Sequence, residues 1–355
     1  MLKDRLRAAR KKAGLSLRDL AAKVDRKVTA QAIGKYERGE MQPSPKVLEM
    51  LALALGVQKE ALTSSQLIEL GTIEFRENRL IRSKKDENIV NATIDYNLRR
   101  YLKIEEILDV TPHWDKPRGF PFPVRDTHEA EWAAHRLRDD WNLGNDAIPN
   151  LSEFLEERGF KVILLNLPSS IAGITCFVAN NVSDRAPVIG TSKEITGERQ
   201  RFTLAHELGH LLLEFSNPSL DVELLCNKFA GAFLMPERVL WEVLGKSRKK
   251  VSIGELVALK KFLGVSVQAL TYRAKDLGII SNYTYKLLYS EFARRGWLKP
   301  PFAEPSPVEV EEPQRFKRLC LRALAEEVIT DEVASELLNM PIDAMMKEFN
   351  ADQND

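Results

Sequence analysis

The chain has 355 residues, 44% of them apolar and 29% charged. This is globular composition with room for two or three domains, unlike that of a disordered, collagenous or small disulfide-stapled protein. Its three cysteines, Cys176, Cys226 and Cys320, are far apart and form no CxxC knuckle, which suits a reducing, cytoplasmic setting; no run approaches the roughly 20 apolar residues of a membrane span, so no membrane contact is expected. The net charge of +1 hides an asymmetry, because residues 1–60 hold 14 Lys/Arg against 7 Asp/Glu: a segment of net +7 suited to a polyanion precedes a remainder of net −6.

In chain order, residues 1–62 read as short helices with abrupt joints. The first runs from Leu2 to Ala13 and stops at Gly14, and the second runs from Leu17 to Val24 behind Ser16 as N-cap, with Asp19 completing a capping box. Thr29 caps a third helix that ends at Arg38 before Gly39, and a fourth spans Pro45 to Leu55. Leu6, Leu20, Ala21, Val24, Ile33, Leu48 and Leu51 are its expected core. Residues 63–128 read as a connector with a strand-like run (71–75), a helix-like run (89–108) and a Pro-rich break (117–123).

Residues 129–280 are expected to form an α+β domain. Helices at 130–142 and 152–158 lead into strand-like runs at 161–167, 171–178 and 187–190, and helices follow at 199–213, 222–233, 236–244, 252–262 and 266–277. Trp132 and Trp141 read as core. Residues 281–355 read as a Pro/Glu/Ser linker (300–313) and a tail of short helices suited to docking a partner or dimerising. The expected fold class is therefore α+β, mostly helical.

The second and third helices lie in the +7 segment in a helix-turn-helix layout. Residues Ala30, Gln31 and Lys35 can face outward together while Ile33 and Tyr36 turn inward. Gln31 has the chemistry to pair with an adenine edge and Lys35 to donate to guanine, with Arg18, Arg26, Lys27 and Arg38 suited to phosphates and Thr29 at the helix start. The run L-S-L-R-D-L-A-A-K-V, then T-A-Q-A-I-G-K-Y-E-R-G-E, P-S and L-A-L-A-L-G-V resembles the Cro/C1 (XRE-type) helix-turn-helix family. That resemblance implies double-stranded DNA as partner and, because such heads bind paired half-sites, a homodimer. The joint from Asp25 to Val28 is about two residues longer than the family's.

The second constellation is H-E-x-x-H at His206, Glu207 and His210 inside an apolar helical pattern. Imidazoles at i and i+4 share one helix face and can grip one Zn2+, while Glu207 on the adjacent face suits a general base. A third ligand is needed. Glu214 lies about 12 Å along the axis from His206, and Leu213 and Ser216 stand where an extended HExxHxxGxxH site needs Gly and His. The next helix, returning after Asn217-Pro218, offers Glu223, with Asp221 as the alternative ligand, Cys226 as a weaker one and Asn227 to orient the site. His113, His128 and His135 are expected at the surface.

R-x-x-L-A-H-E-L-G-H-x-L-L followed by E-x-x-C-N-x-F-A-x-x-x-L-M-P resembles the ImmA/IrrE family of zinc metallopeptidases, a likeness extending over about residues 129–280. The resemblance implies zinc on His206, His210 and Glu223, Glu207 as base, and cleavage of a cognate helix-turn-helix repressor. An alternative, supported by the fused head and the C-terminal helices, is an antitoxin or transcription regulator of a toxin–antitoxin pair whose zincin domain senses a ligand or partner without catalysis.

Overall fold

Local chemistry sets the joints of the N-terminal bundle. Helix α1 (Leu2–Lys12) ends before Gly14. At the start of α2 (Leu17–Lys23), Asp19 N–H donates to the Ser16 hydroxyl while Ser16 N–H donates to the Asp19 carboxylate. Thr29 caps α3 (Ala30–Arg38), and Gly39 closes it at φ 75, in the left-handed region that favours glycine. Ser44 caps α4 (Pro45–Leu55). All seven expected core residues are buried there, together with Val28, Tyr36 and Leu55. The computed structural model describes residues 2–24, 27–57, 59, 62, 73–75, 84–110, 114–181, 184–300 and 302–351, so the joint's Asp25 and Arg26, and also His113, lie outside the described residues.

The helical run of the connector becomes α5 (Lys84–Ile107), starting five residues before the expected Ile89. Its 24 residues span about 36 Å, and it does more than connect. Val90, Ile94, Leu98 and Leu102, spaced by four, pack on one face of a sheet through Ile163, Leu165, Ile174, Cys176, Val178 and Val188. Ile89 lies against Gly14 of the head, and Ile104 enters the core of the C-terminal helices.

The sheet comprises β1 (Ile73–Phe75), β3 (Lys161–Leu165), β4 (Gly173–Asn181) and β5 (Asp184–Ser192) in the order β1-β4-β5-β3, with β4 antiparallel to both neighbours and β3 parallel to β5. Its second face, through Val162, Phe177 and Ile189, joins the main core with Leu204 and Leu208 of α8 (Gly197–Leu212). Two short strands, β2 (Phe122–Val124) and β6 (Leu213–Phe215), pair in parallel. Neither was expected, since a three-residue strand in a Pro-rich stretch, or directly after an apolar helix, has no period to read. Helices α6 (Thr127–Asp140), α7 (Leu151–Glu157), α9 (Val222–Leu234), α10 (Glu237–Leu244), α11 (Ile253–Leu263), α12 (Val267–Asp276) and α13 (Asn282–Arg294) complete the domain. Trp141 is core, packed against Phe154, Phe160 and Phe233, whereas Trp132 is 52% exposed under Arg136. The correction follows from spacing: nine residues are two and a half turns, which puts the two rings on opposite faces. No described helix is long and apolar enough to cross a membrane.

The Pro/Glu/Ser segment, a linker by composition, is strapped onto this domain. Glu304 accepts from buried Lys260 (3.0 Å) and from Val267 N–H at the start of α12 (3.1 Å). Glu311 accepts from Ser152 N–H (2.8 Å) and from Arg201, and Val308 N–H donates to Glu198. The strap leads to α14 (Arg315–Ala325), α15 (Asp331–Leu338) and α16 (Ile342–Ala351).

One buried cluster joins these layers. Lys161 Nζ and Arg315 Nη1 each donate to Glu105 of α5 at 2.5 Å, and burial pushes the Lys161 ammonium down to about 8. Replacement of Glu105 by Gln leaves both cations without a counter-charge. It is expected to cost about 3 kcal/mol, read as a lower urea midpoint with an unchanged slope.

Candidate metal centre

Helix α8 begins at its Thr196 cap, and its apolar stripe, Leu204, Ala205, Leu208, Leu211 and Leu212, is buried. That packing turns His206 and His210 toward a half-buried face, while Glu207 points into the fold with a residue exposure of 4%. The helix stops where β6 pairs with β2, the chain turns at Asn217-Pro218, and Asp221 caps α9 by accepting from Leu224 N–H at 3.0 Å. Helices α8 and α9 then pack against each other. Gly209 permits the approach, since a methyl group there would lie 3.2 Å from the Phe229 ring and 3.4 Å from the Cys226 backbone.

This crossing brings three side chains together. His206 Nε2 lies 3.3 Å from one Glu223 oxygen, His210 Nε2 lies 3.3 Å from the other, and the two imidazole nitrogens are 3.1 Å apart. Ligands about 2.0–2.1 Å from a tetrahedral ion are separated by about 3.3 Å, so the donor set fits a single zinc-sized cation. Asn227 Oδ1, one turn beyond Glu223, sits 3.0 Å from His206 Nδ1, so a proton on Nδ1 would be held there and the Nε2 lone pair would be free for a cation. The ring nitrogens' hydrogen bonds to Glu223 hold its carboxyl well below the usual range. Burial opposes charging His206, but Glu223 and Glu207 outweigh it and raise its pKa; burial also raises that of Glu207.

The alternatives are placed elsewhere. Asp221 is engaged as the helix cap, Glu214 is exposed on β6, and Cys226 is buried in the helix crossing. His128 is exposed at the start of α6. His135 groups with Glu131 and Glu237, ligand atoms within 4.8 Å, yet the Glu131 oxygens already receive Arg273 and Lys228 at 2.5 Å. One neighbour escaped the sequence reading. Gly173, the first residue of β4, lies against Glu207, and a methyl there would come within 2.8 Å of Glu207 Oε1 and closer still to Thr203. A lone glycine after an apolar run carries no period that would reveal this.

In the head, Gln31 and Lys35 are exposed along α3 with Ala30 half-buried, while Ile33 and Tyr36 are buried. Thr29 uses its hydroxyl to accept from Ala32 N–H at 3.1 Å, Arg18 is exposed, and Arg38 pairs with Glu40 at 2.6 Å.

Comparison with known proteins matches residues 6–62 to the helix-turn-helix family and residues 155–275 to the IrrE N-terminal-like domain. The chain joins a helix-turn-helix domain to an IrrE N-terminal-like domain. Among curated proteins it is similar to the radiation response metalloprotease IrrE of Deinococcus radiodurans, 44% identical over 61 residues. That alignment covers 13% of this chain and 19% of the relative. The IrrE-like match is narrower than the expected 129–280, although α6 and the strap pack into the same domain.

Because Gly173 touches Glu207 and Thr203, Gly173→Ala should displace both and destabilise the fold by about 1–3 kcal/mol. A thermal melt lower by several degrees would show it; an unchanged melt would mean that β4 yields freely.

Proposed function

We propose that this chain is a DNA-binding regulator whose IrrE-like domain is a zinc endopeptidase acting on a cognate helix-turn-helix repressor. The observation that carries the reading is the triangle of His206, His210 and Glu223, whose donor atoms are spaced 3.1–3.3 Å apart on two crossing helices. Zinc held there would supply Lewis acidity toward a water and a peptide carbonyl. Asn227 keeps the His206 tautomer and ring angle fixed. Glu207, excluded from the triangle and shielded from solvent, accepts the proton of the attacking water and returns it to the leaving amine. Gly173 leaves room for that carboxylate beside β4.

In the head, the exposed N-terminal half of α3 would enter the major groove, Gln31 and Lys35 reading base edges near Thr29 and Ala30 while Arg18 and Arg38 hold phosphates. The +7 charge of residues 1–60 supports this assignment.

Metal analysis tests the centre directly: about one zinc per chain in the wild type and near none in His206→Ala. Equal zinc in both would remove the centre. Glu207→Gln should keep the metal yet fail to cut a repressor encoded beside this chain, so cutting by that variant would remove the base. For the head, Lys35→Ala should cost about 1–3 kcal/mol of discrimination at one base pair, whereas Arg18→Ala should weaken all duplexes alike and flatten the salt dependence, both read by titration of labelled DNA.

A further inference from the structure

The C-terminal helices form a second pair joined by a tight connection, with a charge opposite to that of the head. Helix α15 ends at Asn339, which takes a left-handed φ of 53, and Pro341 leads into α16, a helix-turn-helix joint of three residues. Ala334, Leu337 and Met345 pack inward with Cys320, Ala323 and Ile104. Outward, Val333 and Ile342, 37% and 38% exposed, line with Pro341 a groove of about 570 Å3 rimmed by Glu332, Glu336 and Asp343. Residues 326–355 contain nine Asp/Glu and a single Lys, for a net charge of −8.

A surface of that sign repels phosphates, so the joint does not serve nucleic acid here. An apolar groove with an acidic rim fits a basic protein surface. The chain itself carries one: the head, with Arg18, Lys23, Lys27 and Lys35 exposed. The head of the same chain is held away from the groove. It packs on α5 at Ile89, whereas the tail is fixed near the other end by Ile104 and by Arg100 donating to the Leu337 carbonyl. Along this continuous helix Ile89 lies about 16 Å from Arg100 and about 22 Å from Ile104.

We propose that the groove between α15 and α16 docks the basic helix-turn-helix head of a second copy of this chain, two such contacts closing a symmetric dimer. Each head then meets the partner's tail, and the two charges of opposite sign set the pairing. The proposal does not depend on metal or on cleavage.

Sedimentation of the full chain at micromolar concentration tests it. In about 50 mM salt the chain should be a dimer and in about 500 mM a monomer, the dissociation constant rising at least about tenfold as the charges are screened. Tail reversal (Glu332→Lys with Glu336→Lys and Asp343→Lys) and head reversal (Arg18→Glu with Lys23→Glu and Lys27→Glu) should each give a monomer at low salt. Mixed in equal amounts, the two variants should form a heterodimer, because both contacts regain opposite charges. A wild-type monomer at low salt, or a dimer indifferent to salt and to both reversals, overturns the proposal. So does a mixture that stays monomeric while each variant keeps the wild-type circular dichroism.

Discussion

Glu223 reaches the imidazoles of His206 and His210 because α9 crosses α8 at the distance Gly209 allows. At this separation the three donors lie 3.1–3.3 Å apart, the spacing that one small cation requires. The crossing is braced from several sides: β6 pairs with β2 where α8 ends, Asp221 caps α9, and the rings of Phe229 and Phe233 pack beneath. Glu207 is then trapped between α8 and Gly173, close to the ring nitrogens yet outside their triangle. One helix pair thus separates the residues that can hold a metal from the residue that can move a proton.

A second constraint is the long helix α5, which contributes to two cores and touches the head as well. Its spacing-of-four stripe covers the sheet, its start meets the head, and its end meets the C-terminal helices. The charged cluster of Glu105, Lys161 and Arg315 lies where those layers join. Buried ion pairs of this kind add little net stability over apolar packing, but they penalise any misplaced layer heavily.

Much of this was legible in the amino-acid order because the relevant residues are local. Ser16 and Asp19, Thr29, and Gly39 and Gly56 mark their helix ends within a few positions, and His206, His210, Glu223 and Asn227 announce themselves by spacing on amphipathic helices. What escaped depends on contacts far apart in sequence. Gly173 is informative only once Glu207 lies above it, and β2 and β6 are too short for a periodic signal. Residues 300–313 look like a tether until Glu304 and Glu311 are seen filling sites formed by Lys260, Ser152 and Arg201. The connector looks accessory because half of α5 is polar, although the other half packs on one face of the sheet through β3, β4 and β5.

The strap has a further consequence. It touches Gly197, Glu198, Gln200 and Arg201, the opening turns of the helix that carries both histidines, and a side chain at Gly197 would run into the carbonyls of Val308 and Glu309. The segment matched to the IrrE-like domain therefore shares buried polar contacts with residues outside it. Excised at residues 155 and 275, it would keep every donor of the metal centre, yet bare the α5 side of its sheet, leave Arg201 without Glu311 and leave Lys260 with Glu198 but without Glu304. The strap that leads to the C-terminal helices is thus seated, through Val308 and Glu311, on the root of the histidine helix.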